Sequence, residues 1–412
     1  MRTKCSNNCA SCRFVMRLVG VAVLAVAVSS GMAQSPAEME GLGCVDGIES
    51  FSAAPADSLF WVSSAWHGKS DDEINAAAAR GDQEAKLVIA RTLVKSADSS
   101  DLARGFRAIS TLSEGGYARA SALLATLYES GKGVERDTQV ATELYRVAVS
   151  SGVEGAEADL GVRLALDATL PAQFKEARFV LERAAIKGYP SAQHALSVLL
   201  SNGPPYIRNF EEALRWAKEA ADAGYGPANV TVASLLFAAG DRGAEHQRYA
   251  LRAFCSHAPG SAGVLAYADM SAGRVDRAMR VALPAAAKGD VAAMEAMAAL
   301  YADRNLGQFD PEHAIKLAEE AYRLDPRSDF ILGAILLRLD DSPSGRQRAK
   351  GLLEAAADRG VGVAAFDVAA GWINGTWGEK DDIAARQWLE LAASMGHLKA
   401  KQTLEAELGE RE

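Results

Sequence analysis

Gly188-Tyr-Pro-Ser-Ala192, Gly224-Tyr-Gly-Pro-Ala228 and Gly396-His-Leu-Lys-Ala400 are three copies of one short phrase, a glycine with an alanine four places on. The phrase also stands at Gly81 to Ala85, Gly116 to Ala120, Gly152 to Ala156, Gly289 to Ala293 and Gly360 to Ala364. Its glycines step by 35, 36, 36 and 36 residues up to Gly224, and by 36 again at the end. A fixed period in the thirties is the mark of a solenoid, a stack of identical supersecondary units. In the interval, His257 with Pro259 and Asp325 with Pro326 occupy the places where the glycine would fall. The stop is kept there in role by a different residue.

Before each glycine runs one apolar helical face, for example Ala213, Trp216, Ala217, Ala220 and Ala221, or Ala385, Trp388, Leu389, Ala392 and Ala393. A glycine after such a run is a helix C-cap, because it enters the left-handed conformation without a Cβ penalty. A second stripe follows it, as in Ala120, Leu124, Ala125 and Tyr128, or Ala364, Val368, Ala369 and Trp372. Small residues within that stripe let two helices approach closely. Each period therefore reads as a helical hairpin, and the alternation expected of half-buried strands is missing.

Residues 117–152 carry the fullest form: Ala120, Leu124, Leu127, Tyr128, Gly131-Lys-Gly133-Val134, Asp137, Ala141, Tyr145, Ala148 and Gly152. This unit resembles the Sel-one-like repeat (SLR) family of α-solenoids, a relative of the tetratricopeptide repeat with a Gly-x-Gly-Val turn between its helices. Residues 189–224 and 361–396 keep most of the pattern, and 290–324 keep Tyr301 and Asp310. Residues 225–288 depart from it in two shortened units. The resemblance covers about 71–412 and implies an all-α, right-handed α-solenoid of about nine helical hairpins with terminal capping helices. The final helix has Glu405 at a usually small position, followed by Glu407 and Glu410, as a polar cap requires.

Residues 1–33 read as a signal peptide: Arg2, Lys4, Arg13 and Arg17, an apolar run from Leu18 to Val28, and the small-x-small site Gly31-Met32-Ala33. Met16 with Arg17 begins a second complete signal, so the true start is expected there, with the same mature chain. The apolar run is shorter than the roughly 18–20 residues that span a bilayer, and no later stretch is longer, so no stable membrane anchor is expected. Removing four basic and no acidic residues takes the formal charge from −9 to −13. That balance disfavours nucleic acid as a partner. Cys5, Cys9 and Cys12 leave with the signal. Cys44 and Cys255 remain, and export makes a disulfide between them chemically possible without requiring it. Gly41-Leu42-Gly43 does not make Cys44 a lipid-anchor site.

Residues 34–70 match no repeat but hold Phe51, Phe60, Trp61 and Trp66. The simpler reading is an N-cap over the first repeat. The sharper one lays the segment in the solenoid's groove, pinned by Cys44 and Cys255. Five stacked units of on the order of 10 Å would separate the cysteines by about 50 Å, a span the intervening chain covers only when extended.

Neither cofactor nor metal is expected. Gly68-Lys69-Ser70 lacks the first glycine and preceding strand of a phosphate loop, and Gly131-Lys132-Gly133 is the inter-helix turn. The histidines (His67, His194, His246, His257, His313, His397) form no two-histidine motif on one helix. Gly260-Ser261-Ala262-Gly263 lacks nucleophile-elbow spacing. Asp71-Asp72-Glu73 suits the positive end of a helix dipole. The chain is expected not to be an enzyme. Cysteine-rich relatives proposed to act on cell-wall-like substrates carry a cysteine pair in each repeat, which this chain lacks.

What remains is a surface. With the first helix of each hairpin on the concave side, the positions two, six and nine places after its leading alanine face the groove. They supply the partner-binding candidates Leu87, Arg91, His194, Val198, Val230, Phe237, Phe366 and Ile373. An apolar stripe of this kind marks a protein or peptide site, unless a tightly curled superhelix buries it against itself. The expected function is a periplasmic adaptor for a protein or peptide, in envelope assembly, polysaccharide export or restraint of a membrane sensor. The alternative is a secreted factor that engages host proteins. On the adaptor reading, Phe237→Glu or Phe366→Glu abolishes partner capture without lowering the melting temperature.

Overall fold

The structure is a computed structural model that describes residue 66 and residues 68–409. Among the described residues it is helical throughout, with twenty α-helices. A first helix, α1 (Asp71–Ala79), precedes nine hairpins: α2 (Gln83–Lys95) with α3 (Ser99–Glu114), α4 (Ala118–Ser130) with α5 (Thr138–Ser150), α6 (Ala156–Asp167) with α7 (Pro171–Ile186). Then come α8 (Pro190–Asn202) with α9 (Phe210–Asp222), α10 (Gly226–Ala238) with α11 (Ala244–Cys255), and α12 (Ser261–Ser271) with α13 (Val275–Ala286). The last three are α14 (Val291–Ala302) with α15 (Pro311–Leu324), α16 (Asp329–Leu339) with α17 (Pro343–Asp358), and α18 (Gly362–Asn374) with α19 (Asp382–Ser394), followed by α20 (Leu398–Gly409). The fold is the all-α solenoid that the glycine period predicts.

Each repeat glycine does the work of a C-cap. Gly152 takes φ +72°, its N–H reaches Val149 O, and the next N–H, of Val153, reaches Ala148 O. Gly188, Gly224, Gly289, Gly360 and Gly396 show the same pair of bonds at φ between +82° and +103°. These bonds satisfy carbonyls that a helix end leaves without partners. His257 substitutes for the glycine fully: it sits at φ +52°, its N–H reaches Phe254 O, and that of Ala258 reaches Ala253 O. Asp325 does not. It is extended at φ −136°, as a residue before proline prefers, and its carboxylate starts the 3-10 turn Pro326–Ser328.

Within a hairpin, the long turn is tied back to the first helix. The N–H groups of Asp137, Asn209 and Asp310 reach the carbonyls of Tyr128, Leu200 and Tyr301, and each side chain then caps the following helix. In the shortened unit, α12 and α13 are joined by only Ala272, Gly273 and Arg274. A capping box between Ser70 and Glu73 opens α1, so Lys69-Ser70 starts a helix.

The chain divides by its internal contacts into two compact units, with the boundary inside α8 between Leu196 and Ser197. In the first unit Ile74 and Ala77 of α1 pack with Ala85, covered by Trp66. Leu87, Ile109, Ala120 and Leu124 form the next layer. Arg163, almost fully buried, holds Glu129 at 3.0 Å, and Glu129 also accepts from the Tyr145 hydroxyl at 3.0 Å.

In the second unit, first helices pack on first helices, α10 on α12, α12 on α14 and α14 on α16, whereas second helices meet each other at most marginally. The first helices therefore line the inside of the curve. That curve closes on itself. Arg208 donates to Asp358 O at 2.5 Å, Leu398 N–H donates to Ala239 O at 3.0 Å, and Lys401 approaches Glu211 at 3.4 Å. Residues between 150 and 190 positions apart in sequence thus meet, as the end of α17 and the start of the final helix α20 reach Arg208, Glu211 and Ala239.

The inner face of the second unit as the candidate site

The site begins where α10 ends. Its last carbonyls lack intrahelical donors, and the chain reverses through Gly240, at φ +81°. The reversal sends Arg242 back over the helix end, where one guanidinium nitrogen donates to Phe237 O at 2.6 Å and the guanidinium lies 3.6 Å from the Phe237 ring centre. A cation at a helix C-terminus is favoured by the dipole, and the ring face adds a cation–π contact. Burial pulls the Arg242 pKa down to about 10.

Phe237 is the hub of a polar-aromatic cluster. The Tyr267 ring of α12 lies 5.0 Å away and the buried His246 of α11 6.1 Å away. Burial, with the positive charge of Arg242 adding to it, holds His246 neutral with a pKa of about 4. Burial and then Glu295 of α14 push the Tyr267 phenol well above its ordinary value, while Arg242 opposes them. The Glu295 carboxyl is itself raised to about 7, first by burial. The Tyr267 hydroxyl and His246 Nδ1 are buried with no hydrogen-bond partner. Such groups cost free energy until something bonds to them.

Across the closure, His397 stacks on Phe366 with ring centres 4.4 Å apart. Its Nδ1 accepts from Ala400 N–H at 3.2 Å, and a Cβ at Gly240 would come within 3.2 Å of its Nε2. Glycine at 240 is thus needed twice, for its backbone angle and for this close approach. Burial, then Lys399 and Arg242, lowers His397 to about 4, and burial raises Asp367 to about 6 against the pull of Arg338.

The eight candidate positions separate by burial. Leu87, His194 and Val198 are at most 4% exposed, so they serve packing and do not face an open groove, and α8 is buried on every face from Ala192 to Leu200. Val230, Phe237 and Phe366 line the inner face half-buried, Arg91 is half-buried in the first unit, and Ile373 is 42% exposed. The curl that buries part of the stripe is the alternative that the apolar character of these positions left open. Tyr267, Glu295, Arg242, His246 and His397 join the site without having been singled out. Glu295 stands two places after Ala293 and Tyr267 six places after the small residue Ser261, so the same register rule reaches both. Arg242 and His397 sit in turns, where no helical period points.

Cys255 ends α11 and is disulfide-bonded, whereas Cys44 and His67 lie outside the described residues. Among the described residues no three His, Cys, Asp or Glu side chains come together as a metal site, and no helix is long and apolar enough to cross a membrane.

The Sel1 repeat model matches residues 118–153, 190–225, 291–326 and 362–397. Two solved structures are similar. One is a protective antigen present in uropathogenic Escherichia coli strains that displays an SLR fold, at 19% identity over 79% of each chain with a TM-score of 0.42. The other is a Sel1 repeat protein from Oxalobacter formigenes, at 24% identity over 81% of this chain and 89% of that one, with a TM-score of 0.30. No curated protein matches the chain in sequence. Proteins of this kind generally mediate protein–protein interaction on a scaffold that is typically non-catalytic. The chain thus carries four Sel1 repeats, each falling on one helical hairpin of the series.

Proposed function

We propose that the protein is a periplasmic interaction scaffold that holds a partner protein or extended peptide on the inner face of its second unit, in envelope assembly, polysaccharide export or restraint of a membrane sensor. The observation that supports this reading is a half-buried aromatic face with unsatisfied polar atoms beneath it. Half-buried aromatic side chains, Phe237, Tyr267 and Phe366, stand beside a Tyr267 hydroxyl and a His246 nitrogen that have no partner. An aromatic face with a few convergent polar groups is what a peptide anchor requires. Export rests on residues 1–33, and a non-catalytic role accords with the repeat architecture.

The test is affinity capture from an envelope extract with the mature chain, residues 34–412, beside its Tyr267→Phe variant. One specific protein held by the parent and lost or weakened at least tenfold by the variant supports the reading. Capture unaffected by the change moves the site elsewhere. Recovery of the mature protein from culture supernatant instead of the periplasmic fraction would support a secreted factor.

A further inference from the structure

We propose that His397 is an acid-sensitive latch of the second unit: its neutral imidazole holds α20 against the turn that follows α10, and protonation of the ring releases that closure. The inference goes beyond the scaffold reading and stands whether or not an external partner exists.

The geometry makes the side chain a wedge between three elements. His397 precedes α20, and its Nδ1 accepts from the Ala400 N–H at 3.2 Å, the bond an N-cap side chain makes to the third helical residue. A ring nitrogen that accepts carries no proton, so the neutral imidazole keeps its hydrogen on Nε2. One residue on, the Leu398 N–H makes the closing bond to Ala239 O at 3.0 Å. The buried ring stacks on Phe366 of α18 with centres 4.4 Å apart. Its Nε2 abuts the α10–α11 turn, where a Cβ at Gly240 would stand 3.2 Å away. Gly362 of α18 approaches from a further side, where a Cβ would lie 3.5 Å from that of His397.

The charges that face this wedge have one sign. They are Lys399 on its own helix and Arg242 in the α10–α11 turn. The nearby carboxylates are engaged elsewhere: Asp241 accepts from the Gly243 N–H at 2.7 Å and bears on His246, and Asp367 of α18 is drawn on by Arg338. No carboxylate is therefore in place to receive an imidazolium. Acid adds its proton at Nδ1, which removes the acceptor of the Ala400 N–H and sets two N–H groups against each other. It also places a third positive charge beside Arg242 and Lys399 in a buried site.

With the closure parted, the ring meets water and ionises at its ordinary value. The closed form binds this proton more weakly than the open form, so closure is fully present above pH 6.5 and is lost as pH falls towards 4. Between pH 7.5 and pH 5 that difference makes opening about 30-fold more frequent. Opening frees the Phe366 face that the imidazole covers.

The test is hydrogen exchange on the mature chain with no partner added, so its failure is distinct from a failure of capture. Corrected for intrinsic rates, exchange at the Leu398 amide should rise about 30-fold from pH 7.5 to pH 5. At each pH it should exceed exchange at Leu300, fully buried in α14, which reports unfolding of the unit as a whole. His397→Asn keeps an N-cap acceptor and removes the titration, so its Leu398 exchange should change less than threefold over the same range. Where that variant is already open at pH 7.5, the His397 ring resonances of the parent decide: a latch titrates well below pH 6, and a midpoint at 6.5 overturns the proposal. An acid rise retained in His397→Asn, or equal exchange at Leu398 and Leu300, overturns it as well.

Discussion

Phe366→Ala should loosen the closure of the second unit before it does anything else. The ring belongs to a cluster with Ala365, Val368 and Ala369, and it stacks on His397, whose neighbour Leu398 donates the hydrogen bond to Ala239 O. Truncating a half-buried phenyl ring costs about 2–3 kcal/mol, at the low end of the range for a core phenylalanine. Loss of the aromatic pair lies within that figure. A cost of that size makes local opening about 30- to 150-fold more frequent. The assay is native-state hydrogen exchange at the Leu398 amide, which reports the closure contact alone, with Ile373→Ala as the control. Ile373 lies two turns along the same helix and is exposed, so its truncation should change exchange less than threefold. Equal exchange in the parent and the Phe366 variant, or an equal effect from Ile373, would refute the argument that this ring holds the curl. The expectation that a charge at 366 leaves melting untouched is revised accordingly. A position on a concave stripe is solvent-facing only while the solenoid stays open.

Three further outcomes are expected. The Glu295 carboxyl has its folded pKa raised from 4.5 to about 7, so the native state holds this proton more tightly and stability falls as pH rises through that window. Discounted for its partial accessibility, Glu295→Gln should gain about 1–2 kcal/mol on the parent between pH 5 and pH 8 in urea melts, and no gain would mean the carboxylate is solvated. His246 and His397, lowered from 6.5 to about 4, act in the opposite sense, and their contribution is lost as pH falls from 6.5 towards 4. His257→Gly should raise stability by about 0.5–1 kcal/mol, since the exposed histidine at φ +52° bears the cost of a left-handed backbone that glycine avoids. A lowered melting temperature would show that the imidazole makes a compensating contact.

The period of the glycines was enough to determine the hairpins, their number and their ends, because a C-cap is a local event. It depends on one residue entering the left-handed region and two N–H groups reaching back three and five residues. Even the substitution of His257 for glycine was legible as a stop, although only the backbone separates it from Asp325, where proline forces an extended exit. The register of the inner face was also legible where the leading alanine is plain, and it reaches Val230, Phe237 and Phe366.

Tertiary structure alone decided which of those positions stay accessible. Curvature is a sum of small rotations between neighbouring repeats, and no residue in any one repeat encodes the sum. Only when Leu398 meets Ala239 and Arg208 meets Asp358 do Arg242 and His397, residues of two distant turns, become neighbours of the helices between them. Leu87, His194 and Val198 disappear into packing, Tyr267 and His246 are left with polar atoms and no partners, and the site follows from closure, a long-range property that a local period cannot carry.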